Sequence, residues 1–350
     1  FGEMHRYFFL IGLVVECLYC NVCGSNMNDS YTNIDFANRK HSWDKQRVLA
    51  GSEASHSQYR FVVAIMRKDN KSSDPYEICT GGVVKKDLIL TACHCVGDVR
   101  GVQISLFDPR KITVIAGTAN IYEDSPQKQV LTVRSFQAHW KCQFYQPGTI
   151  IETDVALIML KDTLEIGNDV QPFDMVEREP KALDLRLRNQ VRMKTVCKLA
   201  GYGFSEPKIP TTTLLEAELQ LISDYECRRI FCEKAPNSPY CNHDYGMKNG
   251  FCAIPTDPDG GATPCKGDSG APVVCDGYVY GLLIWGGCRP EYPVVIAKGT
   301  VALELIKFFH EPKYGSQRKS SNIGTQTELD VVLLSIFLSI LNMVSTWRTK

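Results

Sequence analysis

Residues 262–275 read ATPCKGDSGAPVVC. Ser269 directly follows an acid, Asp268, and glycines fence the pair at positions 267 and 270. A serine hydroxyl is a poor nucleophile at neutral pH, and glycine weakens any regular element that it interrupts. The order has a use where backbone must approach a reacting group and the hydroxyl is activated from elsewhere in the chain.

An activated serine needs a base within hydrogen-bond reach, and the base needs an orienting partner. Of the 7 histidines, His94 in LTACHCVG has the most constrained setting, because it follows the apolar segment LIL and sits between Cys93 and Cys95. Asp154 in TDVALIML opens an intensely apolar strand, where a buried carboxylate must find a donor. Taken singly, a structural histidine is the better reading of His94, and a turn aspartate at a strand edge is as good a reading of Asp154 as a catalytic one. Taken together, His94, Asp154 and Ser269 follow the chain order of the chymotrypsin type.

The surrounding chain is expected to be all-β. RFVVAIM (60–66), GVVKKDLILTA (82–92), KITVIAG (111–117), DVALIML (154–160), APVVC (271–275) and YVYGLLIW (278–285) are rich in Val, Ile and Leu, with Gly, Pro, Asn and Asp between them. That spacing suits antiparallel sandwich or barrel architecture. One helix is expected, TVALELIKFFHEP (300–312), stopped by Pro312.

On these motifs the segment from about Arg47 to Pro312 resembles the trypsin-like and chymotrypsin-like serine endopeptidases. TACHC resembles their histidine motif, DVAL their aspartate motif, GDSGAPVVC their serine motif, and WGGC (285–288) their pocket-wall strand. The resemblance implies two six-stranded antiparallel β-barrels with a C-terminal helix, and acyl transfer on peptide substrates. Ser269 would attack the carbonyl, His94 would carry the proton, and Asp154 would hold the imidazole. The N–H groups of Gly267 and Ser269 would bind the oxyanion.

The resemblance also gives Asp268 a role. VLAG after Arg47 resembles a mature amino terminus, so cleavage there would free the amine of Val48 to pair with Asp268 and organise the 267–269 loop. Eight cysteines pair by resemblance, as Cys79–Cys95, Cys197–Cys275, Cys227–Cys252 and Cys265–Cys288. Cys232 and Cys241 flank an insertion that they could close, and Cys93–Cys142 would tie the histidine loop to the segment leading to Asp154.

For the pocket, Thr263 falls where trypsin-like enzymes carry an acid, and Val294 where an open pocket has glycine, while Gly286 stays small. A neutral, shortened pocket implies preference for small or medium apolar residues. Ile284 replaces the serine that usually supports the buried aspartate. That departure sustains an alternative, a weakly active or inactive protease-like binding or regulatory module. A zinc protein built on Cys93, His94 and Cys95 is disfavoured by its CxC spacing.

Composition bounds the rest. The 39 basic and 39 acidic residues balance, which offers no case for nucleic acid as a partner. The 15 cysteines favour an oxidising compartment. After Met4, HRYFFLIGLVVECLYC resembles a secretory signal, giving a signal region at 1–23, a propeptide at 24–47 and a peptidase domain at 48–312. A polar linker (313–330) precedes an apolar segment (331–347) that suits a short membrane span, a lipid-anchor signal or a surface helix. Asn28 and Asn70 head candidate glycosylation motifs. The expected partners are protein substrates, an activating protease and protein inhibitors, at an extracellular or membrane-tethered location, with no metal or organic cofactor.

Overall fold

The computed structural model describes residues 51–310, apart from 69–75, 101–102, 145–150, 207–208, 211, 246–248, 258 and 260. The signal region, the propeptide with Arg47 and Val48, the linker, the apolar tail, Asn28 and Asn70 lie outside the described residues.

Six strands, Val62–Arg67 (β1), Tyr76–Lys85 (β2), Leu88–Thr91 (β3), Ile112–Ala116 (β4), Gln129–Ala138 (β5) and Ala156–Leu160 (β6), close into an antiparallel barrel in the order β6-β3-β2-β1-β4-β5. Every residue of β6 is buried, because the strand has two apolar neighbours. Ala156, Ile158 and Leu160 face the barrel core with Val114 and Leu131. Leu157 and Met159 meet Val301, Ala302 and Leu305 of the C-terminal helix. A strand covered on both faces has no polar alternation to show, as its sequence indicates.

The second ring comprises Val196–Gly201 (β7), Leu215–Ile222 (β8), Gly250–Pro255 (β9), Pro272–Cys275 (β10), Tyr278–Trp285 (β11) and Val294–Lys298 (β12). Its order is β8-β7-β10-β11-β12-β9, closed by pairing of β8 with β9. Leu199, Leu219, Phe251, Val273, Leu283 and Ile296 fill it. The chain is therefore two six-stranded antiparallel barrels with a C-terminal helix.

That helix spans Gly299–His310, and two others precede it: Pro180–Arg192 (α1) and Asp224–Lys234 (α2), with Gly299–His310 as α3. Helix α1 begins on a proline and buries Leu183 and Leu187, one turn apart. Helix α2 starts at Ser223, whose hydroxyl accepts the Glu226 N–H at 3.2 Å. No helix among the described residues is long and apolar enough to cross a membrane.

Six disulfides cross-link the fold: Cys79–Cys95, Cys93–Cys142, Cys197–Cys275, Cys227–Cys252, Cys232–Cys241 and Cys265–Cys288.

Candidate active site

The site is assembled by strand register. Ala156 at the start of β6 pairs with Thr91 at the end of β3, so the residues just beyond each end emerge side by side. Past Thr91 the chain makes a short 3-10 turn, Cys93–Cys95, with His94 at its centre. Both flanking cysteines are buried and disulfide-bonded, one to β2 and one to the segment after β5, so the turn is clamped from two sides. The same bonds consume the thiols that a zinc ion would need from the Cys-His-Cys run.

Asp154 sits just before β6 and is 2% exposed. Thr153 before it adopts a left-handed conformation (φ 50°), which a β-branched residue holds only where its surroundings enforce it. Here Asn249 Nδ2 donates to Thr153 Oγ1 at 3.2 Å, and Val155 N–H donates to the Thr153 carbonyl at 2.8 Å.

The Asp154 carboxylate then meets His94 twice. Oδ1 accepts the His94 backbone N–H at 3.0 Å, and Oδ2 lies 2.6 Å from Nδ1. Burial opposes a charge on the imidazole, but the Asp154 charge and its hydrogen bond prevail and hold His94 above its ordinary 6.5. With Nδ1 engaged, Nε2 is the nitrogen left for proton transfer. Ile284 offers Asp154 no donor; it packs partly buried among apolar clusters. Among the described residues both donors to the carboxylate come from His94 itself.

Ser269 is delivered by the second barrel and held by both. Its carbonyl accepts the Thr80 N–H of β2 at 2.9 Å, and the Cys95 Sγ lies 3.6 Å from the same oxygen, beside the histidine turn. On the other side, Gly270 N–H donates to the Leu283 carbonyl of β11 at 2.7 Å. Thr80 Oγ1 adds a hydrogen bond to the Gly267 carbonyl at 3.0 Å.

Two glycines make this loop possible. Gly267 and Gly270 have φ of 95° and 88°, left-handed values that cost little only for glycine. A Cβ on Gly270 would lie 3.0 Å from the backbone nitrogen of Ala92, two residues before His94. Among the described residues the N–H groups of Gly267 and Ser269 find no acceptor, which leaves two donors in the loop that carries a partly exposed serine.

Asp268 points the opposite way, into the protein, at 2% exposure. Its Oδ1 accepts from Gly203 N–H and its Oδ2 from Cys265 N–H, each at 2.9 Å. Burial pushes it up to about 6 despite these two hydrogen bonds.

Thr263 and Val294 are fully buried, and Gly286 is packed so closely that a Cβ there would lie 2.6 Å from the Pro264 carbonyl. Val294 shares the second core with Ala262, next to Thr263. Among the described residues Thr263 Oγ1 has no hydrogen-bond partner.

Three groups around the site were not singled out from the sequence. Thr80 holds the serine loop, and Asn249 holds Thr153. Tyr240, inside the Cys232–Cys241 insertion, lies 4.7 Å from the Trp285 ring and 5.1 Å from Phe231. A fourth, Glu77, shares strand parity with the buried Cys79, which was the only sequence signal that it points inward.

Comparison with known proteins agrees with this arrangement. A family model described as Trypsin matches residues 48–306. Granzyme H of Homo sapiens is 28% identical over 265 residues, covering 75% of this chain and 90% of that protein. Kallikrein 1-related peptidase b5 of Mus musculus is 27% identical over 276 residues, with 75% and 87% covered. Among solved structures, neuropsin, a serine protease expressed in the limbic system of mouse brain, matches with a TM-score of 0.56 at 23% identity, covering 75% of this chain and 99% of that one. This last likeness bears on the fold alone.

Proposed function

The chain belongs to the trypsin family and is a serine endopeptidase acting on proteins, and from that premise we propose that Ser269, His94 and Asp154 are its catalytic residues. Ser269 Oγ attacks the scissile carbonyl while His94 Nε2 takes its proton and later returns it to the leaving amine. Asp154 fixes the Nδ1–H tautomer and stabilises the imidazolium. The N–H groups of Gly267 and Ser269 receive the oxyanion. The observation that carries this assignment is the double contact of Asp154 with the backbone and ring of His94, beside a serine anchored to the same barrel.

Activation is proposed to follow cleavage after Arg47. The released Val48 amine would pair with Asp268, a buried carboxylate that has hydrogen-bond donors but no cation among the described residues. Breaking such a buried pair typically costs about 3–5 kcal/mol, enough to decide whether the loop is ordered. A neutral Thr263 and a β-branched Val294 in the pocket support cleavage after small or medium apolar residues.

Six disulfides support synthesis in an oxidising compartment, hence secretion. The proposed organisation is a signal region (1–23), propeptide (24–47), peptidase domain (48–312), linker (313–330) and apolar segment (331–347) that tethers the enzyme to a membrane. An activating protease and protein inhibitors complete the expected partners.

A fluorophosphonate probe tests the core of this proposal. Protein cleaved at Arg47 should be labelled at Ser269, and uncleaved protein should be labelled far more slowly. Absence of labelling in both would favour a binding module without turnover. A peptide library then reads specificity, and strong cutting after Lys or Arg would refute the pocket assignment.

A further inference from the structure

The residue before Asp154 is held in place from the other barrel. Thr153 is 3% exposed and sits at φ 50°, a left-handed value at which a β-branched side chain is strained. Left alone, such a residue returns to negative φ and carries the next residue with it. Among the described residues its hydroxyl has one partner, Asn249, whose Nδ2 donates to Oγ1 at 3.2 Å.

Asn249 is itself fixed to the second barrel. It immediately precedes β9, and its carbonyl accepts the Lys298 N–H from the end of β12 at 2.9 Å. Gly250 and Ala297 then continue the ladder between those strands. Its own φ is 63°, a value that asparagine tolerates better than most residues. The amide therefore comes from a strand end with a defined position. Two contacts thus cross between the barrels in opposite senses. Thr80 of the first holds the serine loop of the second, and Asn249 of the second holds the aspartate segment of the first.

We infer that Asn249 is a positioning residue: by holding the Thr153 hydroxyl it keeps that backbone left-handed, and so keeps the Asp154 carboxylate on His94. This deepens, and rests on, the proposal that Asp154 orients His94. One signature is lower turnover with little change in KM, because neither Thr153 nor Asn249 belongs to the pocket assigned above. The other lies in the pH profile. The Asp154 charge raises His94 against the effect of burial, so a carboxylate that leaves the ring lowers the imidazole. Other ionisable groups around the pair do not compete. Burial, and then Lys141, push His139 down to about 4, and its N–H pairs with the Val155 carbonyl. Burial, and then the Asp154 charge, hold the Tyr240 phenol above its ordinary range. Asp98 is exposed and Glu152 partly so, and neither shifts the imidazole.

The test uses the full chain cleaved at Arg47, with kcat and KM followed across pH. Asn249→Gly removes the donor and suits the left-handed backbone at that position. It should lower kcat by about tenfold, equivalent to about 1.4 kcal/mol, and leave KM within about twofold. The acid limb of kcat/KM should move down by about half a pH unit or more. Thr153→Val keeps the shape, removes the acceptor and should reproduce all three changes; it carries the test if the glycine variant fails to fold. In a Thr153→Gly background no β-branched residue has to be held, so Asn249→Gly should change kcat by less than about twofold. A kcat loss under about threefold, an unmoved acid limb, a change confined to KM, or the same loss in the Thr153→Gly background would overturn the inference. Asp154→Asn separates the two levels. If that variant retains activity, the orienting role of Asp154 fails; if it loses activity while Asn249→Gly does not, Asn249 alone is removed from its role.

Discussion

Thr80 and Ser269 are joined across the two barrels: the backbone N–H of the first donates to the carbonyl of the second at 2.9 Å. Thr80 belongs to β2 of the first barrel, and Ser269 to the segment that feeds β10 of the second. The hydroxyl of the same threonine donates to the Gly267 carbonyl, so both ends of the 267–269 loop are referenced to the barrel that carries His94. The spacing between Ser269 and His94, the proposed nucleophile and base, is thereby set by β-structure and not by a free loop, which suits the tolerance of well under an ångström that catalysis demands.

Asp154→Asn should leave the fold intact and lower kcat by about 10⁴-fold, because an amide donor facing Nδ1 stabilises the wrong imidazole tautomer. Steady-state kinetics on the cleaved enzyme, with the melting temperature as control, checks this. A loss smaller than about tenfold would remove Asp154 from its role.

The acid limb of kcat/KM should have a midpoint above 6.5, since His94 must be neutral to accept the serine proton and its pKa is raised. The sign for stability follows from the same shift. With the folded value above the unfolded one, the His94–Asp154 pair contributes fully below about 6.5 and is lost as pH rises through the folded value. A pH–rate profile with its acid limb below 6 would contradict this.

Gly267→Ala should reduce kcat by about 10²–10³-fold, the typical cost of a lost oxyanion donor. At φ 95° a side chain is strained, and its Cβ would lie 2.8 Å from the Gly203 Cα. KM should change little, because the loop does not form the pocket base.

In the uncleaved chain Asp268→Asn should become more stable than wild type as pH rises. The folded pKa of about 6 stands above the ordinary 3.8, so the contribution is intact below 3.8 and is lost as pH climbs through 6. Two pKa units correspond to roughly 3 kcal/mol. Denaturation at several pH values reads the slope, and a stability difference that stays constant with pH would refute it.

Val294→Gly should open the pocket and admit larger side chains before the scissile bond. One or two methylenes of added room are worth about 1–3 kcal/mol in kcat/KM, or roughly 10–200-fold for an aromatic residue over wild type. Unchanged selectivity in a peptide library would remove Val294 from the pocket wall.

The sequence was most legible where chemistry forces a motif. A serine between glycines after an acid, a histidine between cysteines and an aspartate before an apolar run left few structural alternatives once read together in chain order, and the intensely apolar run after Asp154 reflects a strand covered on both faces. Helices α1 and α2 were not foreseen, although Ser223 with Glu226 forms a capping signature and Leu183 with Leu187 an apolar turn. Short amphipathic helices amid β segments have weak periodicity, and the strand pattern dominated. Glu77 was illegible for another reason. It lies between an exposed Tyr76 and a partly exposed Ile78, and Gly267, which it lies against, is distant in the chain.

The paired cystines on either side of His94 make its chemistry conditional on where the polypeptide matures. Kept in a reducing cytosol, the same amino acids would leave the imidazole turn unstapled at both ends. Compartment would then bear on the alignment of His94 independently of the cleavage proposed at Arg47.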